Sequence, residues 1–239
     1  MGAAIEPTPS LPRNAARSWR RTPRCATRPP GSHDRRDVSL SQGVRESLHR
    51  PAPQVAPDLL GWTLSHVTDS GAVTIELTEV EAYAGDQDPA SHAFRGSTQR
   101  NAIMFGEAGC LYVYFSYGMH WCANVVCGRV GRASAVLLRA GRVIEGVDLA
   151  RSRRGSKAAH ASLARGPACL TQALGIDKSH NGVDLLVDDR LRLRPAEPMA
   201  SDKVSRGPRV GVSVATEVLW RFWVTGDDTV SAYKRSPRA

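Results

Sequence analysis

Two runs rich in strand-forming residues, Leu111 to Ser116 and His120 to Cys127, are separated only by Tyr117-Gly118-Met119. A connection that short can join antiparallel neighbours but not parallel ones, which need a crossover of a dozen residues or more. The chain is thereby committed to a sheet with at least one hairpin. Alternation of apolar and polar residues predicts another strand at Val73-Thr74-Ile75-Glu76-Leu77, and Ser134 to Arg139 continues the sheet. Further strands are expected over 183–187, 209–214 and 219–224. Helices are expected over 145–154 and, after Gly166-Pro167, over 168–174, where Pro167 suits a first helical turn. The fold class is α/β, a single domain whose sheet is mostly antiparallel and rich in hairpins.

Residues 1–50 do not share this patterning. Pro7, Pro9, Pro12, Pro23, Pro29 and Pro30 interrupt any helix, and ten Arg against four acids give a net charge of +6 out of +9 for the whole chain. Such a segment cannot bury enough apolar surface to order itself, so 1–50 is expected to be a disordered extension and 51–239 one domain, without internal repeats or a second linker. Because most of the basicity sits in the tail, net charge alone does not argue for a nucleic-acid partner; a local patch must do so. Five Cys, at 25, 110, 122, 127 and 169, are odd in number and never spaced Cys-x-x-Cys, which speaks against a disulfide framework or a structural zinc site. With no apolar run of membrane length and no secretory leader, the expectation is a soluble cytoplasmic protein, or a nuclear one in a eukaryotic cell.

Within the strand predicted from Val73, odd-numbered side chains make the apolar face, yet Glu79, Glu81 and Tyr83 continue on that face while Val80 and Ala82 take the other. The polarity of the two faces inverts along one strand. A carboxylate so placed is either at an exposed strand end or in a pocket, where loss of water raises its pKa toward the range a general base needs. Carboxylates at i and i+2 stand about 7 Å apart on an extended strand, a separation that suits a glycoside-cleaving pair without choosing between mechanisms. Tyr112 and Tyr114 share a face of their strand, whereas Tyr117 stands at the hairpin tip beside Gly118. There it is either a rim residue or a wedge that enters a nucleic-acid stack. His92 lies in a loop after the turn-like Gly85 to Pro89 and has no neighbouring set that would make a metal site.

Glu79-Val80-Glu81-Ala82-Tyr83, Ser91-His92, Gln99-Arg100-Asn101, Met104-Phe105, Leu111 to Tyr114 with Tyr117-Gly118-Met119, Asn124 and Val136-Leu137-Leu138-Arg139-Ala140 follow one another in this order. As a series they resemble the alkyladenine (3-methyladenine) DNA glycosylase family. Gly166-Pro167, Gln172-Ala173-Leu174, Lys178 and Arg209-Val210-Gly211-Val212 extend the resemblance from about Leu59 to Tyr233. It implies a compact domain with a curved antiparallel sheet, surrounding helices and a β-hairpin inserted in the minor groove. The implied activity is monofunctional: an alkylated purine is flipped from duplex DNA and its N-glycosylic bond hydrolysed, leaving an abasic site.

The resemblance also implies roles. Glu81 matches the general base that activates water, and Arg139 the residue that helps to hold that water and the carboxylate. Tyr83, His92 and Tyr114 match the aromatic walls of the base pocket, Asn124 the floor that crowds the amino group of normal guanine, Tyr117 the intercalating wedge, and Leu137 a contact to the flipped nucleotide. On this reading replacement of Glu79 matters much less than that of Glu81. Ala93 departs from the Ser that often follows the pocket His, and Arg151-Ser152-Arg153-Arg154 with Lys157 is either a phosphate contact or a solvated loop. No metal, organic cofactor or Schiff-base Lys is expected. The expected partner is double-stranded DNA carrying damaged purines, with no membrane and no obligate protein partner, the chain acting as a monomer. Two other readings stay open: a nucleic-acid-binding module of the same fold without catalysis, and a sugar hydrolase using Glu79 and Glu81. An intact Glu81 with Arg139 favours an enzyme over the module, and the pocket and wedge favour DNA over sugars.

Overall fold

The computed structural model describes residues 35–116 and 118–238. Within them the strands are β1 (Thr63–Thr68), β2 (Gly71–Tyr83), β3 (Leu111–Ser116), β4 (His120–Val126), β5 (Ala135–Glu145), β6 (Leu191–Arg194), β7 (Val204–Gly207) and β8 (Arg221–Val224). They form one antiparallel sheet, curled into a half-barrel, in the order β3-β4-β5-β2-β1-β6. On one edge of β2, β1 pairs with residues 71–76 and β8 with residues 79–81, while β5 runs along the other edge and β7 lies outside β8. The helices are α1 (Arg35–Leu48), α2 (Ala52–Val55), α3 (Val147–Arg154) and α4 (Pro167–Leu174). Pro167 opens α4, as its missing N–H allows, and Gly175 closes it in the left-handed conformation with φ +72°. The buried side of α4, Leu170, Ala173 and Leu174, joins the core beneath β4 and β5. An α/β domain with a mostly antiparallel sheet is therefore what the sequence predicted.

The inverted polarity of β2 has a specific cause. Leu77 faces Gly141, Glu79 faces Ala140 and Val80 faces Leu138, so Thr78 is an extra residue on β2 and Arg139 an extra residue on β5. These are β-bulges, which re-aim side chains by one position. Across them the core receives Val73, Ile75 and Leu77, then Val80 and Ala82, with Val136, Leu138 and Val143 from β5. The core face stays apolar throughout, and Glu79, Glu81 and Arg139 are delivered to the opposite face.

Three expectations need correction. Residues 183–187 are not a strand: Asp184 accepts its own chain's Leu186 N–H at 3.1 Å, a local turn that competes with a ladder, although Leu185 and Leu186 are buried. Residues 209–214 form a loop, turned at Gly211 with φ +72°. In the tail, residues 35–50 are not without structure: α1 forms, Leu48 is 1 % exposed, and Arg45 pairs with Asp184 at 2.7 Å. The helix begins after the last of the prolines that interrupt the earlier segment, and residues 1–34 lie outside the described residues. Cys122, Cys127 and Cys169 are free thiols, whereas Cys110 is disulfide-bonded, a bridge that cysteine spacing did not signal. Among the described residues no helix is long and apolar enough to cross a membrane.

Candidate active site

Sheet register assembles the site. Tyr112 lies opposite Asn124, Asn124 opposite Leu137, Leu137 opposite Glu81, and Glu81 opposite Arg221. Residues directly opposite in a ladder share a face, so five strands contribute one row of side chains. A second row runs alongside, with Tyr114 opposite Cys122 and then Arg139 and Glu79 brought over by the bulges. Together with the loop following β2 and the loop at 209–214, Tyr112, Asn124, Leu137 and Glu81 of the first row and Tyr114, Cys122 and Arg139 of the second line a cleft of about 590 Å³, within the range of small-ligand pockets, while Arg221 and Glu79 stand behind it.

Both carboxylates are fully buried, and they are treated differently. The Oε1 atom of Glu79 accepts from Arg221 Nε at 2.6 Å, Arg139 Nε at 2.7 Å and Ser231 Oγ at 2.9 Å, while its Oε2 accepts from the Ser231 N–H at 2.7 Å. Burial opposes its charge, but Arg139, Arg221 and the Ser231 N–H outweigh burial and hold the carboxyl below its usual pKa. Glu81 accepts from the Val210 N–H at 2.7 Å and from Tyr83 Oη at 2.9 Å, with Arg139 Nη1 more distant at 3.3 Å. Burial pushes its carboxyl above the usual range, and Arg139, Val210 and Tyr83 only partly reverse this. Glu79 thus favours its anionic form, with both oxygens engaged, whereas Glu81 holds a proton more readily than an ordinary glutamate. Arg139 bridges the two and is anchored again by donating to Ser231 Oγ at 3.1 Å.

The predicted aromatic residues meet at this carboxylate. Tyr83 donates to Glu81, and Tyr114 and His92 stand edge to face with ring centroids 4.4 Å apart. Tyr112, 1 % exposed and stacked on Tyr114 at 5.6 Å, lies within 3.3 Å of His92 Nδ1 through its hydroxyl. His92 is exposed as a residue, but desolvation of its ring, followed by the nearby Arg100 charge, lowers its pKa, so the neutral imidazole is favoured. Asn124, which lines the cleft, is held by donating through Nδ2 to the Tyr112 carbonyl at 3.1 Å. Leu137 lines the same cleft. Of the predicted site residues, Glu81, Arg139, Tyr83, His92, Tyr114, Asn124 and Leu137 are brought together; Tyr117 lies outside the described residues. Asn101 holds the His92 loop by donating to the His92 and Gly96 carbonyls at 2.9 and 3.1 Å, a support independent of residue 93, where Ala93 is buried.

Several site groups escaped the sequence reading. Arg221 and Ser231 complete the Glu79 cluster, the backbone of Val210 supplies a donor, and Cys122 places a buried thiol in the cleft wall. Backbone donors carry no residue-type signal, and Arg221 and Ser231 are distant in sequence. In the basic stretch after 150, Ser152 and Lys157 are exposed, while two of the arginines also make internal contacts. Arg153 donates to the Ala173 carbonyl at 3.0 Å and Arg154 to the Leu163 carbonyl at 2.9 Å, so these arginines fasten α3 to α4 and its approach.

The family described as Methylpurine-DNA glycosylase (MPG) matches residues 46–228 of this chain. A protein of Streptomyces avermitilis named "Putative 3-methyladenine DNA glycosylase" is 51 % identical over 199 residues, covering 82 % of this chain and 93 % of its own length. Proteins with the same name from Leifsonia xyli subsp. xyli and Nocardia farcinica are 48 % and 50 % identical, covering 84 % and 81 % of this chain and 97 % and 92 % of theirs.

Proposed function

Since the chain belongs to the methylpurine-DNA glycosylase family, we propose that it is a DNA-repair glycosylase that flips an alkylated purine of the 3-methyladenine type out of duplex DNA and hydrolyses its bond to deoxyribose. The observation that carries this reading is the split between the two buried carboxylates on one face of the sheet, beside a cleft walled by tyrosines. Cleavage at the glycosylic carbon develops positive charge on the sugar. A carboxylate beside it stabilises that charge and activates water. Glu81, with its raised pKa, takes the water's proton; Arg139, fixed by Glu79, orients the Glu81 carboxylate.

An alkylated purine such as 3-methyladenine is already cationic and departs without an acid. A cation held over desolvated aromatic faces gains about 2 kcal/mol, which offsets part of the few kcal/mol that flipping costs. Tyr83, Tyr114 and His92 supply those faces, and the favoured neutral state of His92 avoids a like charge against the lesion. Asn124 and Leu137 bound the floor. Tyr117, at the tip between β3 and β4, is the proposed wedge that fills the space left by the flipped base.

The test is release of free base from duplexes that each carry one defined lesion. Wild-type protein is expected to liberate alkylated purines and leave the strand uncut. Binding to such duplexes without release of base would instead make the chain a nucleic-acid-binding module.

A further inference from the structure

We propose that Arg209 is the positioning residue of this cleft: its guanidinium ties the end of β2 to the two loops flanking the cleft, and so holds Tyr83 and the Val210 N–H against Glu81. The inference rests on the glycosylase reading and adds to it a residue that does not line the cleft.

The Arg209 side chain is 0 % exposed. Its Nη1 and Nη2 donate to the two oxygens of Asp88 at 2.5 and 2.8 Å, and Nη1 donates again to the Ala82 carbonyl at 3.0 Å. The guanidinium carbon lies 4.7 Å from the centre of the Tyr83 ring and 5.3 Å from that of Trp220. Asp88 in turn accepts from the Ala84 and Ala90 N–H groups at 3.3 and 3.1 Å, which shapes the loop whose Pro89 and Ala90 line the cleft. One step along the chain from Arg209 is Val210, whose N–H reaches Glu81 Oε1 at 2.7 Å. A single cation therefore touches a wall residue of the pocket and precedes a backbone donor to the carboxylate.

Its chemistry is not that of a residue kept for stability. Among the described residues Arg209 Nε is a buried donor that meets no acceptor, and an unsatisfied buried group is costly. A buried ion pair, moreover, is often matched or bettered by apolar residues of similar volume. What the planar fork offers, and a lysine does not, is simultaneous two-point attachment to Asp88 with one face free to stack on an aromatic ring. The groups facing Glu81 are Arg139 from β5, Glu79 and Tyr83 from β2, Tyr114 from β3, Cys122 from β4, and Val210 and Arg209 from the loop. Of these, Tyr83 is stacked on the Arg209 guanidinium and Val210 follows it in the chain, and both donate hydrogen bonds that favour ionised Glu81.

Single-turnover base release as a function of pH, measured for wild type, Arg209→Lys and Asp88→Asn with melting temperatures alongside, tests the proposal. Arg209→Lys keeps the charge and loses the fork. It is expected to slow release roughly 10- to 100-fold, the scale of misplaced catalytic groups, and to move the acid limb upward by at least about half a pH unit as Glu81 loses a donor. Asp88→Asn should act in the same direction by less, and it carries the readout if the lysine variant does not fold. A loss that is uniform in pH, with the acid limb where wild type has it, makes Arg209 a stabilising residue only and overturns the proposal; so does an unchanged rate. Absence of base release by wild type would instead remove the glycosylase reading.

Discussion

Glu79 and Glu81 stand two residues apart on one strand, carry the same functional group and are equally buried, yet the protein uses them as opposites. Around Glu79 it places two guanidinium groups, a backbone N–H and a hydroxyl, so the charge is fixed. Around Glu81 it places one backbone N–H, one phenol and a guanidinium at 3.3 Å, so burial prevails. The difference teaches that a buried carboxylate is assigned its role by how many donors reach it. Two groups whose pKa values are pushed apart mark a division of labour, and under the proposed function Glu79 builds the site while Glu81 takes the water's proton.

The largest expected effect comes from Glu81→Gln. The amide keeps the shape but cannot accept a proton, so base release should fall at least about a hundredfold while lesion binding and melting temperature stay near wild type. Near-normal turnover in this variant would erase the distinction between the two residues. A smaller loss of rate, roughly tenfold, is expected from Glu79→Gln, which leaves Arg139 without its anchor. Its stability cost should be the larger of the two, because breaking a buried ion pair costs about 3–5 kcal/mol. A Glu79→Gln protein as stable and as active as wild type would show that the Arg139 and Arg221 contacts are incidental.

The pH dependence sharpens the comparison further. Base duty needs ionised Glu81, and its pKa is raised, so base release should be complete above that value and lost as pH falls through it, at a higher pH than an ordinary glutamate near ~4.3 would give. In Glu79→Gln the limb should move to lower pH, because the negative charge that pushes Glu81 upward is gone and Arg139 is free to turn toward it. An acid limb that stays fixed would mean that Glu79 does not influence its neighbour, and one that moves upward would mean that Glu79 acts on Glu81 through Arg139 and not through its own charge.

What was legible in the sequence follows the same physics. The hairpin at 111–126 was readable because its connection is too short for any other pairing, and the helix at Pro167 because proline and glycine bracket it. The inverted pattern after Leu77 was visible as an anomaly, but the bulges at Thr78 and Arg139 that explain it are properties of two paired strands, and one strand alone does not specify its partner's register. The strand Leu191–Arg194 alternates over four residues only, too short a run to stand out in the sequence, whereas 209–214 has the alternation without the strand, since its N–H groups serve Glu81 and Lys234 instead of a ladder. Glu81, Arg139 and the aromatic walls were recognisable from the ordered motifs they sit in. The dependence of Arg139 on Glu79, and of Glu79 on Ser231 more than 150 residues later, arises only when the chain closes on itself.

Tyr83→Phe should produce the smallest effect and isolates Glu81 from Glu79. The Tyr83 hydroxyl donates to Glu81 Oε2 at 2.9 Å, and the four donors to Glu79 do not include it. Removing only the hydroxyl retains the ring in the cleft wall and its cation contact with Arg209. A hydrogen bond to a charged group is worth roughly 1.5–3 kcal/mol, and one pKa unit corresponds to about 1.4 kcal/mol, so losing this donor should raise the Glu81 pKa by on the order of one unit. The acid limb should then move to higher pH, opposite to the shift in Glu79→Gln, while the rate on the high-pH plateau falls only a few-fold, because ionised Glu81 and Arg139 are still present there. Measured as single-turnover release across pH, opposite shifts in the two variants would place the two carboxylates in separately controlled environments. Shifts of the same sign would show them titrating as one coupled pair, and the division of labour between them would have to be abandoned.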